Sequence, residues 1–229
     1  MITIAHGNDS VASRNFYIEE KQKTESNEVF DGEKLDFDTF FQIFEGNSLF
    51  ENEKYVFIEN FFSKTKSNSL EFKKIIDYIN KAKDINLFFW EQKELTKAQC
   101  SSLKNSTLRL FNYPQLLFNF LDNLKPNNLN LISLYNQLQK TMEAELIFYM
   151  IVRQFRIMLA LIDSSDDKID EAKRIAPWQS SKIKSQAKYF EQEKLLEIYK
   201  KLYTIDYNTK FGLNSLSLTK TIDIFLLDL

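Results

Sequence analysis

The sequence predicts an α/β domain with a parallel five-stranded sheet, followed by an all-α domain. Up to Tyr113, short apolar runs alternate with helical patterns, and after Pro114 only helical patterns follow. The chain of 229 residues has only 4 Gly and 3 Pro, which suits a helix-rich protein with short connections. Its hydrophobic fraction of 44% is enough for a real core in each domain.

Five short segments in the first part have the composition of strands: residues 2–5, 28–32, 55–58, 85–90 and 107–111. Helical patterns separate them at residues 11–23, 36–45, 68–81 and 94–103. Strands that alternate with helices at this spacing are joined by right-handed crossovers and form a parallel sheet covered by helices. Residues 55–58 are four β-prone apolar residues in a row, which predicts a strand buried on both faces.

The second part predicts a bundle of about six helices. Helical patterns cover residues 115–124, 129–139, 142–163, 180–190, 194–206 and 216–229, with a short one at 169–175. Residues 142–163 are nonpolar nearly all round, so this segment is expected to be the central helix. Pro177 stands where a first helical turn favours proline.

Charge and composition exclude several classes of protein. The net charge of −2 gives the whole molecule no strong attraction for nucleic acid or acidic membranes. One cysteine (Cys100) excludes an internal disulfide, and one histidine (His6) beside it makes a zinc site improbable. The longest apolar run, residues 146–152, is too short to cross a bilayer, and the amino terminus has no signal-peptide pattern. We therefore expect a soluble, cytoplasmic protein.

The turn after the first predicted strand is where an α/β domain often binds phosphate. Here it holds one glycine, Gly7, no lysine, and an aspartate, Asp9, that would repel phosphate. We expect no cofactor, no metal and no catalytic residue, which leaves an enzymatic role uncertain. His6 is expected to be a strand-end residue satisfied by the backbone, and Cys100 to be structural.

Two charged segments are candidate sites. Asp163, Asp166, Asp167 and Asp170 lie in a polar break that reads as a solvated turn. Residues 168–201 hold nine Lys and Arg against five Asp and Glu. Either this is a solvated helix face, or it contacts nucleic acid or an acidic partner through Lys182, Lys184 and Lys188.

Several stretches together resemble the delta subunit family of the bacterial DNA polymerase III clamp loader. In the first domain they are Ile-Ala-His-Gly-Asn-Asp at 4–9, Asn-Ser-Leu-Phe at 47–50 and Phe-Phe-Trp-Glu at 88–91. In the second they are Arg-Gln-Phe-Arg at 153–156, which is the most specific, and Ala-Pro-Trp at 176–178. The family normally has a three-helix lid domain between its sheet and its collar. In this chain residues 111–114 run almost directly into the first collar helix, so the sequence looks like a shortened form without the lid.

The resemblance implies an AAA+-like sheet domain without a functional nucleotide site at residues 1–113 and a helical collar, used for oligomerisation, at 114–229. It implies a clamp-loader subunit that binds and helps to open the DNA sliding clamp during replication, within a DNA polymerase holoenzyme. Leu49 and Phe50 match the two apolar side chains that wedge into the clamp. The implied partners are the clamp and the sister subunits, with DNA contacted weakly or indirectly. The sister subunits hydrolyse ATP and are joined to this chain through the collar. No membrane is implied.

Two other functions remain open. One is a nucleotide enzyme with a degenerate site, which the missing lysine in the first turn disfavours. The other is a nucleic-acid-binding or protein-interaction adaptor without clamp activity, which would use the basic segment. Without the resemblance, the sequence favours burial of Leu49 and Phe50 beneath the sheet over contact with a partner.

Overall fold

The computed structural model describes residues 1–24, 27–45, 55–82, 85–162 and 169–229. The chain divides into two compact units, Met1–Tyr113 and Pro114–Leu229. The first is called the sheet unit and the second the helical unit. The predicted fold class is confirmed: a five-stranded parallel sheet with helices precedes a domain of helices alone.

The sheet has the strand order β2-β3-β4-β1-β5, and every neighbouring pair is parallel. Its strands are β1 (Ile2–His6), β2 (Asn27–Asp31), β3 (Tyr55–Glu59), β4 (Asn86–Glu91) and β5 (Ser106–Leu110). The central strands β3, β4 and β1 are buried on both faces, as their unbroken apolar runs predict. β5 forms one edge, where Leu108 and Leu110 are exposed.

The side chains of each central strand alternate between two apolar clusters. Val56 and Ile58 of β3 belong to one cluster, and Phe57 belongs to the other together with Tyr17 and Trp90. Each cluster is closed by helices that pack on one face of the sheet. The described helices of this unit are α1 (Ser10–Gln22), α2 (Phe37–Glu45), α3 (Phe61–Lys64), α4 (Leu70–Lys81) and α5 (Lys97–Cys100).

Two of these helices differ from the sequence-based expectation. α5 has four residues instead of ten, because Thr96 and Gln99 form a capping box at its start and the chain leaves the helix at Ser101. α3 has no counterpart among the predicted helices. It follows Asn60, whose left-handed backbone (φ 58°) ends the strand β3 and turns the chain into one helical turn.

The helical unit is built around α8 (Ala144–Ile162), which packs against five of the other described helices, while α7 (Asn130–Leu138) packs against α6 and α12. Nine of its nineteen residues are buried, in agreement with its nearly all-round apolar pattern. The other helices are α6 (Gln115–Asp122), α9 (Asp170–Lys173), α10 (Pro177–Ala187), α11 (Gln192–Lys210) and α12 (Leu218–Leu227).

The connection between the two units is short. Only residues 111–114 lie between the last residue of β5 and the first of α6. A three-helix domain cannot be formed by four residues, so the described chain contains no lid at this place. Within the described residues, no helix has the length and apolar character needed to span a membrane.

The turn after β1 requires glycine. Gly7 has φ +146°, and a Cβ on it would lie 1.9 Å from the carbonyl oxygen of Phe111. That close approach is held by two backbone hydrogen bonds: Phe111 N donates to the His6 carbonyl (2.8 Å), and Asp9 N donates to the Phe111 carbonyl (2.9 Å). The chain after β5 is thereby fastened to the chain after β1.

We predict that Gly7→Ala lowers the free energy of unfolding of the sheet unit by about 3 kcal/mol, because the methyl group must displace the backbone of Phe111. Urea denaturation followed by circular dichroism measures this loss. Gly212→Ala is the control: its φ is +66° but nothing lies within 4 Å of the added Cβ. It should cost about 1 kcal/mol from backbone strain alone, and equal losses for both variants would contradict the proposed clash.

Candidate functional site

The turn after β1 uses its amide groups within the chain. Asn8 N donates to Oδ1 of Asn112 (3.0 Å), and Asp9 N donates to the carbonyl of Phe111 (2.9 Å). The side-chain amides of Asn8 and Asn112 both donate to Oε2 of Glu94, at 3.3 and 3.0 Å. A phosphate would need these same backbone donors and would meet the carboxylate of Glu94. The turn therefore joins two segments of the chain and does not offer these donors to an anion.

His6 ends β1 and is buried. Its Nδ1 accepts a hydrogen bond from the amide of Leu95 (3.2 Å), so in the neutral ring the hydrogen is on Nε2, which lies 3.9 Å from Sγ of Cys100. Burial lowers the pKa of His6, and burial together with Glu94 raises the pKa of the Cys100 thiol. An imidazole with a hydrogen on that nitrogen cannot take the proton of the thiol, so this pair does not form an activated nucleophile.

Glu91 is a buried carboxylate that the sequence analysis did not single out. Its oxygens accept hydrogen bonds from the amides of Phe62 (2.8 Å) and Ser63 (3.1 Å) at the start of α3. Burial raises the pKa of Glu91, while these hydrogen bonds act in the opposite direction. The side chain thus caps α3 from the end of β4, which explains why a helix of one turn is stable there.

The predicted clamp contact falls in the connection between α2 and β3. Leu49 and Phe50 lie outside the residues that the structure describes, so their role stays a prediction. Of the flanking elements, α2 carries Phe41, which is 41% exposed and packs edge-on against Tyr78 at 5.7 Å between ring centroids. β3 begins at Tyr55, the amino end of a central strand.

The Arg-Gln-Phe-Arg segment of α8 organises the helical unit, and its two arginines act on one carboxylate. Nε of Arg153 and Nη2 of Arg156 each lie 2.5 Å from an oxygen of Glu171 on α9. Oε1 of Glu171 pairs with Arg153, and Oε2 pairs with Arg156. Both arginines are partly buried, and the paired carboxylate fastens the short α9 to the central helix.

Gln154 and Gln186 form a buried amide pair between α8 and α10. Nε2 of Gln154 donates to Oε1 of Gln186 (2.7 Å), and Nε2 of Gln186 donates to the carbonyls of Leu121 (2.6 Å) and Leu124 (3.1 Å). Those carbonyls belong to the end of α6 and the residues after it, and the Leu121 carbonyl also accepts from the amide of Leu124 (3.3 Å). Gln186 therefore adds donors at the end of α6 and joins three helices.

Phe155 completes the segment in the core. It is fully buried and packs edge-on against Phe190 after α10, at 5.7 Å, and against Phe225 of α12, at 6.2 Å. The four residues of the segment therefore link α8 to α9, α10 and α12 directly, and to α6 through Gln186. They support the structure of the helical unit and are not exposed as a binding motif.

Of the predicted basic contact, Lys182 and Lys184 lie on α10, and Lys188 follows its last residue. Nζ of Lys182 pairs with Asp122 of α6 (2.5 Å), whereas Lys184 and Lys188 are exposed and have no ion-pair partner among the described residues. Nearby, Nζ of Lys125 lies 4.7 Å from the centre of the Tyr189 ring. Trp178, on the same side of α10 as Lys182, is 66% exposed. The structure thus combines lysines with exposed aromatic rings but neutralises one of the three predicted lysines.

The acidic cluster predicted as a solvated turn is only partly described. Asp163, Asp166 and Asp167 lie outside the described residues, and Asp170 pairs with Lys173 at 3.6 Å. In the part of the chain that the structure covers, no group of three or more His, Cys, Asp or Glu side chains could hold a metal ion.

Sequence reasoning missed one surface, a groove between α8 and α11. Leu196, Tyr199 and Tyr203 follow one another on α11 at spacings of three and four residues, outside the buried row of Leu195, Ile198 and Leu202. That second apolar row was the signal that could have revealed the groove. One apolar row is enough for α11 to pack into the core of the helical unit, so the second row lines the groove.

Comparison with known proteins gives one family match. The family model described as the DNA polymerase III delta subunit, C-terminal domain, matches residues 115–229, which is 115 of the 229 residues. No curated protein matches the chain. Among solved structures, the chain is similar to the Bacillus subtilis DNA clamp loader delta protein (YqeN). The sequences are 14% identical, the match covers 99% of this chain and 94% of that chain, and the TM-score is 0.48.

We predict that Gln186→Leu lowers the free energy of unfolding of the helical unit by about 3 kcal/mol, because the amide of Gln154 and the carbonyl of Leu124 lose this partner in a buried place and the carbonyl of Leu121 loses one of its donors. Gln154→Leu removes only one hydrogen bond to Gln186 and should cost about 1.5 kcal/mol. Urea denaturation measures both. Gln179→Leu, an exposed glutamine on the same helix, is the control and should change stability by about 0.5 kcal/mol or less; a similar loss there would contradict the role of the buried pair.

Proposed function

Because this chain belongs to the DNA polymerase III delta subunit family, we propose that it is a clamp-loader subunit that binds the DNA sliding clamp and helps to open it during replication. The observation that carries the proposal is the family match over the entire helical unit, residues 115–229. That range contains the Arg-Gln-Phe-Arg segment, which contacts α9, α10 and α12 directly and reaches α6 through Gln186. The sheet unit lies outside the matched range.

In this proposal Leu49 and Phe50 form the contact with the clamp. Burial of a leucine and a phenylalanine contributes about 1.5–3 kcal/mol each, and a few such side chains dominate small interfaces. A wedge that binds the open clamp more tightly than the closed clamp shifts the equilibrium by the difference between the two affinities. Opening then needs no chemistry in this chain.

The proposed role assigns ATP hydrolysis to sister subunits. It is supported by the turn after β1, where the backbone amides of Asn8 and Asp9 already donate to Asn112 and Phe111. The helical unit is proposed to join this chain to the sister subunits. With four residues between β5 and α6, the chain does so without a lid domain.

We predict that the double variant Leu49→Ala/Phe50→Ala binds the purified sliding clamp about a hundredfold more weakly than the wild type, because both apolar anchors are removed. Surface plasmon resonance with the immobilised clamp measures the dissociation constant. Leu70→Ala is the matched control, since Leu70 is a 74% exposed leucine of the same unit. Clamp binding that is unchanged in the double variant would remove Leu49 and Phe50 from the interface.

A second candidate function is a nucleic-acid-binding adaptor, and one observation favours it. Lys184 and Lys188 have no ion-pair partner among the described residues, and Lys188, which follows α10, stands next to Tyr189, which is 58% exposed. Positive charge beside exposed aromatic rings suits single-stranded DNA, whose bases stack on such rings. The two functions are compatible, since a clamp loader works on DNA.

For this contact we predict that Lys184→Ala/Lys188→Ala weakens binding of a single-stranded oligonucleotide. The slope of log K against log salt should fall by about 1.4, because each phosphate contact contributes about 0.7 for single strands. Fluorescence anisotropy over a salt series measures the slope. Lys140→Ala/Lys220→Ala makes the same change of charge elsewhere in the helical unit. An equal effect of both pairs, or no binding at low salt, would contradict a site on α10.

A further inference from the structure

The outer side of β5 is an open edge of the sheet. β5 is the last strand in the order β2-β3-β4-β1-β5, and no described strand lies beyond it. Four of its five residues are exposed, and Leu108 and Leu110 are exposed to 44% and 53%. Sheets usually protect such an edge with proline, charged side chains or a covering element, because its free backbone groups bind further strands. β5 contains no proline and a single charged residue, Arg109.

The hydrogen bonds between β1 and β5 determine which backbone groups of β5 face outward. Phe111 N donates to the carbonyl of His6 (2.8 Å), so the backbone of Phe111 faces β1. Backbone groups along a strand point alternately to its two sides, so the residues two and four positions earlier also face β1. The N–H and C=O groups that point away from β1, where no described strand pairs with them, are those of Ser106, Leu108 and Leu110. This row of donors and acceptors fits an extended chain.

The sequence of β5 is complementary to itself in one antiparallel register. When Leu108 lies opposite Leu108 of a second copy, Ser106 lies opposite Leu110, and Thr107 lies opposite Arg109. All residues of the strand then have a partner, and the three with outward backbone groups are at the hydrogen-bonded positions. No charged side chain lies directly opposite a like charge, and the central pair is apolar, which favours the contact.

The two nearest registers that keep the outward groups paired are disfavoured. A register centred on Arg109 places two guanidinium groups opposite each other, and like charges in that position destabilise a strand pair. A register centred on Thr107 places Leu110 opposite Lys104 of the second copy. Lys104 lies beyond Asn105, whose left-handed backbone (φ 58°) ends the extended chain, so the last residues of β5 would have no strand to pair with.

The opposite edge of the sheet is less suited to pairing. β2 carries two carboxylates, Glu28 and Asp31, among its five residues. Asp31 also begins a turn, since its Oδ1 accepts a hydrogen bond from the amide of Glu33 (3.1 Å). Charged residues on an edge strand oppose the addition of another strand, so we expect pairing at β5 and not at β2.

We propose that a second copy of this chain pairs with β5 along its outer edge, antiparallel and with Leu108 opposite Leu108, so that the sheets of two copies join into one. A contact of one short strand from each copy is small, so the dimer is weak, with a dissociation constant on the order of 100 μM. β3, which follows the predicted clamp anchors, is three strands away from β5, a distance of about 14 Å. The inference is therefore independent of the proposed clamp contact.

Analytical ultracentrifugation of the full-length chain over a concentration series tests this contact. The wild type is expected to dimerise, and Leu108→Lys should weaken the dimer about tenfold or more, because two ammonium groups then lie opposite each other. Leu108→Glu should have the same effect through two carboxylates. An equimolar mixture of the two variants should recover dimerisation, since opposite charges then face each other. Leu70→Lys, at a 74% exposed leucine of the same unit, is the matched control and should dimerise like the wild type.

Recovery in the mixture supports both the contact and its register, because two misfolded variants would not restore each other. A wild type that stays monomeric at about ten times the expected dissociation constant overturns the inference. A dimer that Leu108→Lys leaves intact, or that Leu70→Lys weakens equally, also overturns it. So does a mixture of the Leu108→Lys and Leu108→Glu variants that remains monomeric under conditions in which the wild type dimerises.

Discussion

The helical unit depends on the buried amide pair of Gln154 and Gln186. Polar groups buried without partners are costly, so a pair of this kind is stable only when each of its groups is satisfied. Gln186 meets that condition by donating to both carbonyls at the end of α6 while accepting from Gln154. The requirement fixes the positions of α6, α8 and α10 relative to one another, because a shift of any of them breaks a hydrogen bond. The apolar contacts of Phe155 add energy but are less directional.

In the sheet unit, the polar groups at the carboxyl ends of the strands also need hydrogen-bond partners. In open parallel sheets these ends commonly form a ligand site, because backbone donors and helix termini meet there. Here the donors are used internally: Asn8 and Asp9 bind the residues after β5, and Glu91 caps α3. The unit therefore has an open parallel sheet whose donors at Asn8 and Asp9 are already used within the chain. This agrees with the proposed role, in which other subunits hydrolyse ATP.

The proposed binding functions use three different parts of the chain. The predicted clamp anchors fall in residues 46–54, which lie outside the described residues, Lys184 of α10 and Lys188 after it are exposed, and the outer edge of β5 pairs with no described strand. The groove between α8 and α11 is a further surface, lined by apolar residues with Arg156 at its middle. The proposed contacts differ in chemistry, since apolar anchors suit a pocket of the clamp, lysines suit a phosphate backbone and an open strand edge suits another strand.

The sequence alone determined the fold class, the five strands and the central helix, because hydrophobic periodicity reports which residues must face inward. It also identified the Arg-Gln-Phe-Arg segment and correctly indicated that His6 is satisfied by the backbone. Only the tertiary structure decided which groups meet. The pairing of Lys182 with Asp122 joins residues 60 positions apart, and the capping of α3 by Glu91 joins residues 28 and 29 positions apart. The groove between α8 and α11 likewise exists only where two distant helices pack. Periodicity specifies the inward face of an element but not its neighbour, so a site assembled from several elements becomes visible only once they are packed.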